Sequence, residues 1–299
     1  MNNKVAVLLS TFNGENWIPE LLESLNMQTV ELKLIVRDDG STDQSLKLIK
    51  QTWSQEIEIC NHIEGNIGPG KSFHHLLSHV KDEKWVAFCD QDDMWISDKL
   101  ALATSKLKDP ESTPSAFCSS VLTFPKGNQW PTRVYRPSRI NAIFQNIAIG
   151  STLVLTNAAK NLLLRFEYDG ELLHDDWINI IMNNYGEVYF EQKPTIRYRL
   201  HALNHTGMPA IYKESKLNYV NRLKTYGKTK KLIENRIKFI SAIRQELPVE
   251  TGNFLTTLTA EDPKLIHKKK YLSHKFRQSP WEDALFKFLY LINFFKFRF

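Results

Sequence analysis

Short, mostly apolar runs that end in polar loops recur along the first third of the chain. These runs are residues 5–9, 32–36, 57–59 and 85–89. Apolar positions at helical spacing follow the first three of them, within residues 15–27, from residue 46 and within 73–80. A bounded apolar run is typical of a buried strand, and a spacing of three or four indicates a helix. The alternation therefore predicts βαβ units and a mostly parallel sheet.

The pattern loosens after about residue 110, where several prolines interrupt it. The apolar run 147–155 predicts a further strand, residues 176–185 a helix, and residues 188–190 and 195–198 two more strands. After about residue 212 the chain becomes helical and basic. We therefore predict an α/β fold in which a mixed, mostly parallel sheet flanked by helices occupies residues 1–212. A helical basic region follows at residues 213–299.

Composition supports a folded protein with an uneven charge distribution. The 299 residues are 42% hydrophobic and 24% charged, which is ordinary for a globular protein. The net charge is +6, yet residues 213–299 hold 19 Lys and Arg against 8 Asp and Glu, so the remainder is acidic. Either the basic region attaches the protein to an anionic surface, or it folds against the acidic part. Both interpretations stay open.

Cysteine usage and hydropathy indicate a cytoplasmic location. Cys60, Cys89 and Cys118 are odd in number and lack metal-ligand spacing, so no disulfide framework is expected. The N-terminal apolar run is too short for a signal peptide. No stretch approaches the roughly 20 apolar residues of a membrane-spanning helix.

Three carboxylates follow the apolar run 85–89 directly. Asp90, Asp92 and Asp93 would repel one another without a cation, and Mg²⁺ or Mn²⁺ binds through a few carboxylates together with phosphate oxygens of a substrate. The D-x-D spacing directs two side chains towards one ligand. The alternative is a solvated acidic turn, or a cap for the helix expected after Asp98.

A second acidic loop follows the run 32–36. A carboxylate at Asp38 or Asp39 can accept a hydrogen bond from a nucleotide base or from a ribose hydroxyl. Asp, Gly and Ser also favour turns, which is the competing interpretation. Because ligands bind at the carboxyl ends of parallel strands, we expect residues 38–43 and 90–93 to meet at one edge of the sheet.

Two further segments carry weaker signals. Gly68 and Lys71 precede a helix, whose N-terminus attracts phosphate, but their spacing does not match a P-loop and a plain turn explains them equally well. Asp175 and Asp176 precede an apolar helix, so one can be its N-cap and the other a general base.

Histidines follow the last expected strand of the first domain. His201 and His205, with Asn204 between them, lie just after residues 195–198. A histidine there can be a metal ligand or a phosphate donor, although a lone histidine is more often neither.

Taken together, the motifs at 10–14, 38–43, 66–68, 88–95, 98–100, 174–177 and 198–204 resemble glycosyltransferase family 2, which has the GT-A fold. The resemblance covers roughly residues 4–207 in the right order. Residues 88–95 and the His-Asp-x-Trp pattern at 174–177 are similar to the bacterial rhamnosyltransferase-like branch, whose members build O-antigen and other surface polysaccharides.

The resemblance implies a role for each matching position. It implies that Thr11 and Asp39 contact the donor's base, with Asp38 beside them, and that Asp90 meets the ribose. Asn13, Gly68, Lys71 and Gln91 complete the expected nucleotide-sugar site. It implies that Asp92 holds Mn²⁺ or Mg²⁺. Asp90 and the histidine after the last strand, His201, are further expected ligands. The catalytic base is expected at Asp175, with Asp176, which replaces the aromatic residue usual at this position, as the alternative.

The expected activity is inverting and metal-dependent. It is also expected to be non-processive, since the Gln-x-x-Arg-Trp motif of the family's processive members is missing from the sequence. The expected donor is a dTDP- or UDP-linked sugar, rhamnose being one candidate, and the acceptor is a saccharide or a lipid-linked saccharide. We expect no nucleic acid partner. A nucleotidyltransferase acting on a sugar phosphate and a non-catalytic protein that binds anionic surfaces are the alternatives.

The aromatic and cationic segment 281–299, preceded by three lysines at 268–270, favours a peripheral position on the inner face of the cell membrane. Packing of this segment on the first domain is the other interpretation.

Overall fold

The computed structural model describes residues 4–60, 65–131, 136–201, 219–260, 268–277 and 280–291. Its strands are β1 (Val5–Thr11), β2 (Leu32–Asp38), β3 (Ile57–Ile59), β4 (Trp85–Asp90), β5 (Met94–Trp95), β6 (Ser115–Ser119), β7 (Val121–Phe124), β8 (Gln129–Trp130), β9 (Val154–Thr156), β10 (Glu187–Glu191) and β11 (Ile196–Arg199). Its helices are α1 (Ile18–Asn26), α2 (Ser45–Thr52), α3 (Pro69–His79), α4 (Lys99–Lys106), α5 (Arg139–Phe144), α6 (Asn157–Leu163), α7 (His174–Tyr185), α8 (Tyr219–Ala242), α9 (Val249–Thr259) and α10 (Pro280–Leu291).

Seven strands form the central sheet in the order β10-β6-β9-β4-β1-β2-β3. Strand β1 pairs in parallel with β2 and β4, β2 with β3, and β6 with β10. Strand β9 alone in this sheet runs antiparallel to its neighbours β4 and β6. The prediction of a mixed, mostly parallel sheet flanked by helices is therefore confirmed.

Both faces of the sheet are buried along β1, β2 and β4, which explains why these strands are mostly apolar runs. Along β1, Val5, Val7 and Leu9 pack into one core, whereas Ala6 and Leu8 pack into the other, because successive side chains of a strand point to opposite faces. Helices α1, α2 and α4 cover the first face. Helices α3 and α5 to α10 contribute to the core on the second face.

A smaller sheet of four strands, in the order β5-β11-β7-β8, positions the segment that follows the D-x-D motif. Strand β11 is antiparallel to β5, with Ile196 opposite Trp95 and Arg197 opposite Met94. Continuing this register brings residues 199–201 opposite residues 90–92. The prolines around these short strands hid the sheet from the sequence pattern, which predicted only β11.

Two predicted elements differ from the structure. In the run 147–155 the extended part is only β9, because Gly150–Thr152 forms a 3-10 turn that is buried without being a strand. Helix α7 begins at His174, and Leu173 is its N-cap residue. Asp175 and Asp176 therefore lie inside the first turn, where a negative charge complements the helix dipole, and neither is the N-cap.

The C-terminal helices share the core of the sheet. Ile237 of α8, Phe254 of α9, and Phe286 and Tyr290 of α10 are all at most 4% exposed and belong to the same hydrophobic cluster as Leu8. Within the described parts of the chain, no helix has the length and apolar character needed to span a membrane. The expected boundary at residues 212 and 213 and the segment 292–299 lie outside the described residues.

Candidate active site

The carboxyl ends of three neighbouring strands bring the acidic loops together. In the register of the central sheet, Thr11 at the end of β1 lies opposite Asp38 at the end of β2. On its other side, Ser10 of β1 lies opposite Asp90 at the end of β4. The expected meeting of the two acidic loops at one sheet edge is what the parallel pairing produces.

The loops after β1 and β2 are held to each other by hydrogen bonds. The Asn13 amide N–H donates to Ser41 Oγ at 2.9 Å, and Asn13 Oδ1 accepts from the Thr42 N–H at 2.9 Å. The Gly14 N–H donates to Ser45 Oγ at 2.7 Å. Asn13 adopts a φ of 49°, in the left-handed region that asparagine tolerates better than most residues. The Asn13 side chain, which we expected in the nucleotide-sugar site, is therefore hydrogen-bonded to the loop after β2.

Asp38 and Asp39 have different environments. The half-buried Asp38 carboxylate accepts from the Ser41 N–H at 3.2 Å and from the Ser41 hydroxyl, which is turn chemistry. Asp39 is 2% exposed and forms an ion pair with the buried Arg37, at 3.1 Å. Its two oxygens also accept from the backbone N–H groups of Ile67 and Gly68, each at 2.9 Å. Asp39 thus fixes the loop that enters α3.

At the start of α3, one of the expected phosphate donors is already hydrogen-bonded within the protein. The Gly68 N–H is directed at Asp39 and at Asn66 Oδ1 rather than at the solvent. The stem of Lys71 lies against Gly170, where a methyl group would stand 2.4 Å from Lys71 Cε. Lys71 is exposed and extends along the loop that precedes α7.

Gln91 joins the loops after β1 and β4. Its Oε1 accepts from Thr11 Oγ1 and from the Phe12 N–H, both at 2.8 Å, and its Nε2 donates to the Phe12 carbonyl at 3.0 Å. A methyl group at Gly14 would stand 2.3 Å from Gln91 Oε1, so the packing here requires a glycine. Gln91 and Thr11 consequently form one rigid corner beside Asp90.

The two aspartates of the D-x-D motif lie at the rim of this corner. Burial, and then the neighbouring Asp92 charge, raise the pKa of Asp90 to about 7. Asp92 Oδ2 lies 2.7 Å from His201 Nε2, and both side chains are partly exposed. The His201 ring stacks on Trp17, with centroids 4.6 Å apart. The structure thus brings His201 to Asp92, while Asn204 and His205 lie outside the described residues.

Asp93, the third carboxylate, points into the protein. It is 1% exposed, and its oxygens accept from Ser151 Oγ at 2.6 Å and from the Arg199 N–H at 3.0 Å. Arg199 Nε donates to the Asp92 carbonyl at 2.9 Å, and its guanidinium pairs with Glu20. Burial, reinforced by the charges of its two neighbouring aspartates, holds the pKa of Asp93 well above its usual range. Asp93 therefore anchors β11 to the D-x-D turn.

A fully buried lysine supports the same turn. Lys99 Nζ donates to the Ser151 carbonyl and lies 3.2 Å from the centre of the Trp95 ring. Burial lowers the pKa of Lys99 to about 7, against the opposing effect of Cys89 and Asp93. Sequence reasoning missed Lys99 and Ser151. The polar break in the apolar run 147–155 was the signal available for Ser151.

Asp175 lies near the strand-end carboxylates. A methyl group at Gly150 would stand 3.8 Å from Asp175 Cβ, and the next residue, Ser151, bonds to Asp93. Burial, then the charge of Asp176, with a smaller contribution from Asp90, raise the pKa of Asp175 to about 8. A carboxyl group with this pKa exchanges a proton near neutral pH, as a general base must.

Asp176 is neutralised by a residue from the C-terminal region. Its Oδ1 accepts from Arg236 Nη2 at 2.6 Å and from Arg236 Nε at 3.0 Å, and both side chains are at most 7% exposed. The sequence analysis missed Arg236. An arginine beside Ile233, Ile237 and Ile240 on the apolar side of a helix was the available signal, because a charge at such a position needs a buried partner.

The side chains around Asp92 suit a divalent cation in part. Among the residues that the structure describes, no group of three or more His, Cys, Asp or Glu side chains is arranged to hold a metal ion. Asp92 and His201 nevertheless present one carboxylate and one imidazole at the same point of the rim. Mg²⁺ sites commonly use one or two carboxylates and complete their ligand set with substrate phosphates and water, so this pair fits such an ion.

Comparison with known proteins identifies a family and relatives for this chain. Residues 6–173 match the family described as Glycosyl transferase family 2. The dTDP-rhamnosyl transferase RfbG of Shigella flexneri is 27% identical to this chain over 257 residues, which cover 80% of the chain and 88% of that protein. The poly(ribitol-phosphate) beta-N-acetylglucosaminyltransferase TarS of Staphylococcus aureus is 29% identical over 170 residues, 54% of the chain and 28% of TarS.

A solved structure supports the fold. The crystal structure of S. aureus TarS 1-349 in complex with UDP-GlcNAc superposes with a TM-score of 0.60 at 17% identity, covering 98% of this chain and 80% of that one. At this identity the likeness bears on the fold, and it agrees with the expected GT-A architecture.

Proposed function

Because the chain belongs to glycosyl transferase family 2, we propose that it moves a sugar from a nucleoside diphosphate sugar to an acceptor hydroxyl, with Asp175 as the base. The family and its relatives make the chain an enzyme of the glycosyltransferase class. One observation carries the mechanism: Asp175, whose pKa is raised to about 8, lies near the strand end that presents Asp90 and Asp92. A proton acceptor and a leaving-group site thus share one rim.

The donor is proposed to lie along the carboxyl ends of β1, β2 and β4. Thr11 and Asp38 end neighbouring strands at this edge and are assigned to the nucleotide base, with Asp90 at the ribose. Asn13, Asp39, Gly68 and Gln91 shape the loops around the nucleotide through the hydrogen bonds that join those loops. Lys71 contributes a positive charge at the entrance to α3.

The metal ion, Mn²⁺ or Mg²⁺, is proposed to be held by Asp92 and His201, with Asp90 nearby. When bound, it would supply Lewis-acid stabilisation for the charge on the departing diphosphate. Trp17 orients the His201 ring by stacking, and Arg199 fixes the Asp92 backbone. Such supporting contacts commonly set how well a ligand side chain binds its ion.

The reaction proceeds by a single displacement. The acceptor hydroxyl gives its proton to the Asp175 carboxylate while its oxygen forms a bond to the anomeric carbon of the sugar. The bond from that carbon to the phosphate oxygen breaks, and its electron pair leaves with the nucleoside diphosphate. One displacement inverts the anomeric centre. Asp176 is held as the ion-pair partner of Arg236, whose Nε and Nη2 both donate to its Oδ1.

For the donor, we propose a dTDP-linked rhamnose, on the basis of the Shigella relative, which covers most of both chains. UDP-GlcNAc, named in the TarS structure, is the competing donor. We propose a saccharide acceptor in bacterial surface polysaccharide synthesis, with one sugar added at each encounter.

A peripheral position on the cytoplasmic face of the membrane is proposed from the charge of residues 213–299. The aromatic part of this argument is weakened by α10, whose Phe286 and Tyr290 are buried in the core. Lys268 is also buried, and its Nζ donates to the Tyr290 carbonyl at 3.0 Å. Lys269 and Lys270 are exposed and carry the proposal.

The membrane proposal is tested by reversing these charges. Each basic residue near an anionic surface contributes about 1 kcal/mol, so Lys269→Glu/Lys270→Glu should lower partitioning onto phosphatidylglycerol vesicles by at least roughly tenfold. Lys47→Glu/Lys50→Glu on the exposed side of α2 makes the same charge change elsewhere and is the matched control. Equal partitioning of both variants would refute the attachment. Deleting residues 281–299 is a poorer test, because it removes core side chains.

The transfer activity is tested by a donor screen. Thermal unfolding is measured with dTDP-rhamnose, UDP-GlcNAc and GDP-mannose, each with and without Mn²⁺. A ligand at 100 times its Kd adds about 2.7 kcal/mol, so the true donor raises Tm clearly, and more so with Mn²⁺. Release of nucleoside diphosphate from that donor then gives turnover. No stabilisation by any nucleotide sugar, or consumption of a nucleoside triphosphate with a sugar phosphate, would contradict the proposal.

A further inference from the structure

The C-terminal helix α8 reaches into the site through Arg236. The guanidinium donates twice to Asp176 Oδ1, at 2.6 and 3.0 Å, and the pair is buried. Sixty positions separate the two residues along the chain, so this contact depends on the packing of α8 against α7. A carboxylate and a guanidinium that are both removed from water require each other, since either one alone would be a buried uncompensated charge.

Two carboxylates stand next to each other at the start of α7, and only one is compensated in this way. The Asp175 carboxylate accepts the Asp176 N–H at 2.9 Å and lies on the side of Gly150. Without Arg236, two neighbouring buried carboxylates would share charge, and a proton would reside on either of them. With Arg236 in place, Asp176 is the ion-pair partner and Asp175 is the carboxyl group without a bound guanidinium.

We propose that Arg236 is a positioning residue for catalysis: it holds Asp176 as a permanent ion-pair partner and so leaves Asp175 as the single carboxylate that accepts the acceptor proton. The inference rests on the proposed role of Asp175 and extends the active site into the region after residue 213. It also accounts for an aspartate at 176, where an aromatic side chain is expected, because that aspartate and Arg236 form one unit.

The groups that surround Asp175 come from several elements. They are Asp90 at the end of β4, Tyr168 in the loop before α7, the chain neighbours His174 and Asp176 on α7, and Arg236 on α8. Burial lowers the pKa of His174 to about 3, so this ring is neutral and does not offset the acidic charges. Arg236 favours the ionised form of Asp175, whereas Asp176 and Asp90 disfavour it.

The test removes the Arg236 cation and the Asp176 anion in separate variants of the full chain. Arg236→Met removes the cation, and the acidic limb of the kcat–pH profile should move up by about one unit. This is the lower end of the shift that a nearby opposite charge produces, because Arg236 contacts Asp176 and acts on Asp175 from beyond it. At pH 7 this lowers kcat roughly tenfold, because the fraction of ionised base falls by that factor. Asp176→Asn removes the anion and should move the limb down.

The double variant Asp176→Asn/Arg236→Met keeps the net charge around Asp175 and should return the limb close to that of the unmodified protein. Arg236→Lys retains the cation and should keep most of the kcat. KM for the donor should change little in all four variants. Arg277→Met, which breaks another arginine–carboxylate pair of the C-terminal region, with Glu282, is the matched control and should leave the limb in place.

Calorimetry on each variant separates folding from chemistry. If Arg236→Met does not fold, the Arg236→Lys and double variants carry the test. Two outcomes would show that Arg236 serves the fold alone. In the first, the acidic limbs of Arg236→Met and Asp176→Asn move in the same direction or not at all. In the second, the double variant is as impaired as Arg236→Met. Full turnover in Asp175→Asn would instead overturn the proposed base, whatever the Arg236 variants do. If the unmodified protein releases no nucleoside diphosphate from any nucleotide sugar, the proposed transfer fails and this inference fails with it.

Discussion

Two pairs of carboxylates lie near enough for Asp90 to raise the pKa of Asp175, and the two pairs have different charge partners. The strand-end pair, Asp90 and Asp92, is partly exposed and lies beside His201. The helix pair, Asp175 and Asp176, is buried, and one member is bound by Arg236. The strand-end pair therefore keeps an outward face on which a cation can bind. The helix pair already contains its cation, so its remaining carboxyl group is left to exchange a proton.

The difference shows how environment rather than residue type assigns chemistry to an aspartate. Burial raises the pKa of both Asp90 and Asp175, and the second carboxylate of each pair raises it further. A divalent cation at Asp92 would relieve the repulsion in the strand-end pair. In the helix pair the relief comes from the protein itself. Each of the following predictions alters one pair and leaves the other as the reference.

Asp175→Asn should have the largest effect. Removing a general base lowers kcat by about 10²–10⁴-fold, while the donor still binds because the strand-end pair is intact. The measurements are nucleoside diphosphate release and the donor-induced rise in Tm. Turnover within a factor of two or so of the unmodified protein would place the base elsewhere.

Asp92→Asn should have the next largest effect and, unlike Asp175→Asn, should also weaken ligand binding. Loss of the charge that holds the cation should lower kcat by about 10²–10³-fold and remove the extra stabilisation by Mn²⁺. Asp82→Asn, an exposed aspartate in the loop before β4, is the control and should titrate with Mn²⁺ as the unmodified protein does. Activity of Asp92→Asn that survives in chelator would argue against a metal at this pair.

Trp17→Ala should have an intermediate effect confined to the strand-end pair. The stacked ring orients His201, and loss of such a supporting contact commonly weakens metal affinity by about 10-fold or more. Trp17→Phe keeps an aromatic face and should recover most of the affinity. The measurement is the Mn²⁺ concentration that gives half-maximal turnover; the same value in Trp17→Ala would mean that the stack has no part in binding.

The last prediction concerns stability rather than turnover and belongs to the helix pair. The pKa of Asp175 is raised from 3.8 to about 8, so between these pH values the folded protein holds a proton that the unfolded chain has lost. Stability should therefore fall as the pH rises through this window, by at most about 1.4 kcal/mol per pH unit from this group. Asp175→Asn lacks this loss, so its Tm should gain on that of the unmodified protein between pH 5 and 8, by roughly 2–4 °C per kcal/mol. Parallel Tm curves would contradict the raised pKa.

Much of the fold follows from local pattern. The runs that become β1, β2 and β4 are apolar because both faces of the sheet are buried, and the acidic loops after them meet because parallel strands end at one edge. The sequence positions of these strands and loops therefore predicted the strand-end part of the site. The weak signal at His201 gained its meaning only from the register of β11 with β5, a pairing across about 100 positions.

The helix pair was harder to predict. Sequence placed a base at Asp175 or Asp176 without a physical reason to choose between them. The reason that we propose lies in Arg236, whose approach depends on how α8 packs, and no periodicity within α7 reveals it. The buried supports Lys99 and Ser151 were missed for the same cause: each is a polar residue within an apolar setting, and its partner is far away in the sequence.

The claim that both pairs serve one reaction is tested most directly by anomalous diffraction from crystals grown with Mn²⁺ and dTDP. The account predicts an anomalous peak bound by Asp92 and His201, with diphosphate oxygens completing its ligand set and the Asp175 carboxylate on the same side of the sheet, facing the sugar site. A manganese peak away from Asp92, or an Asp175 carboxylate on the far side of the sheet from the diphosphate, would contradict it.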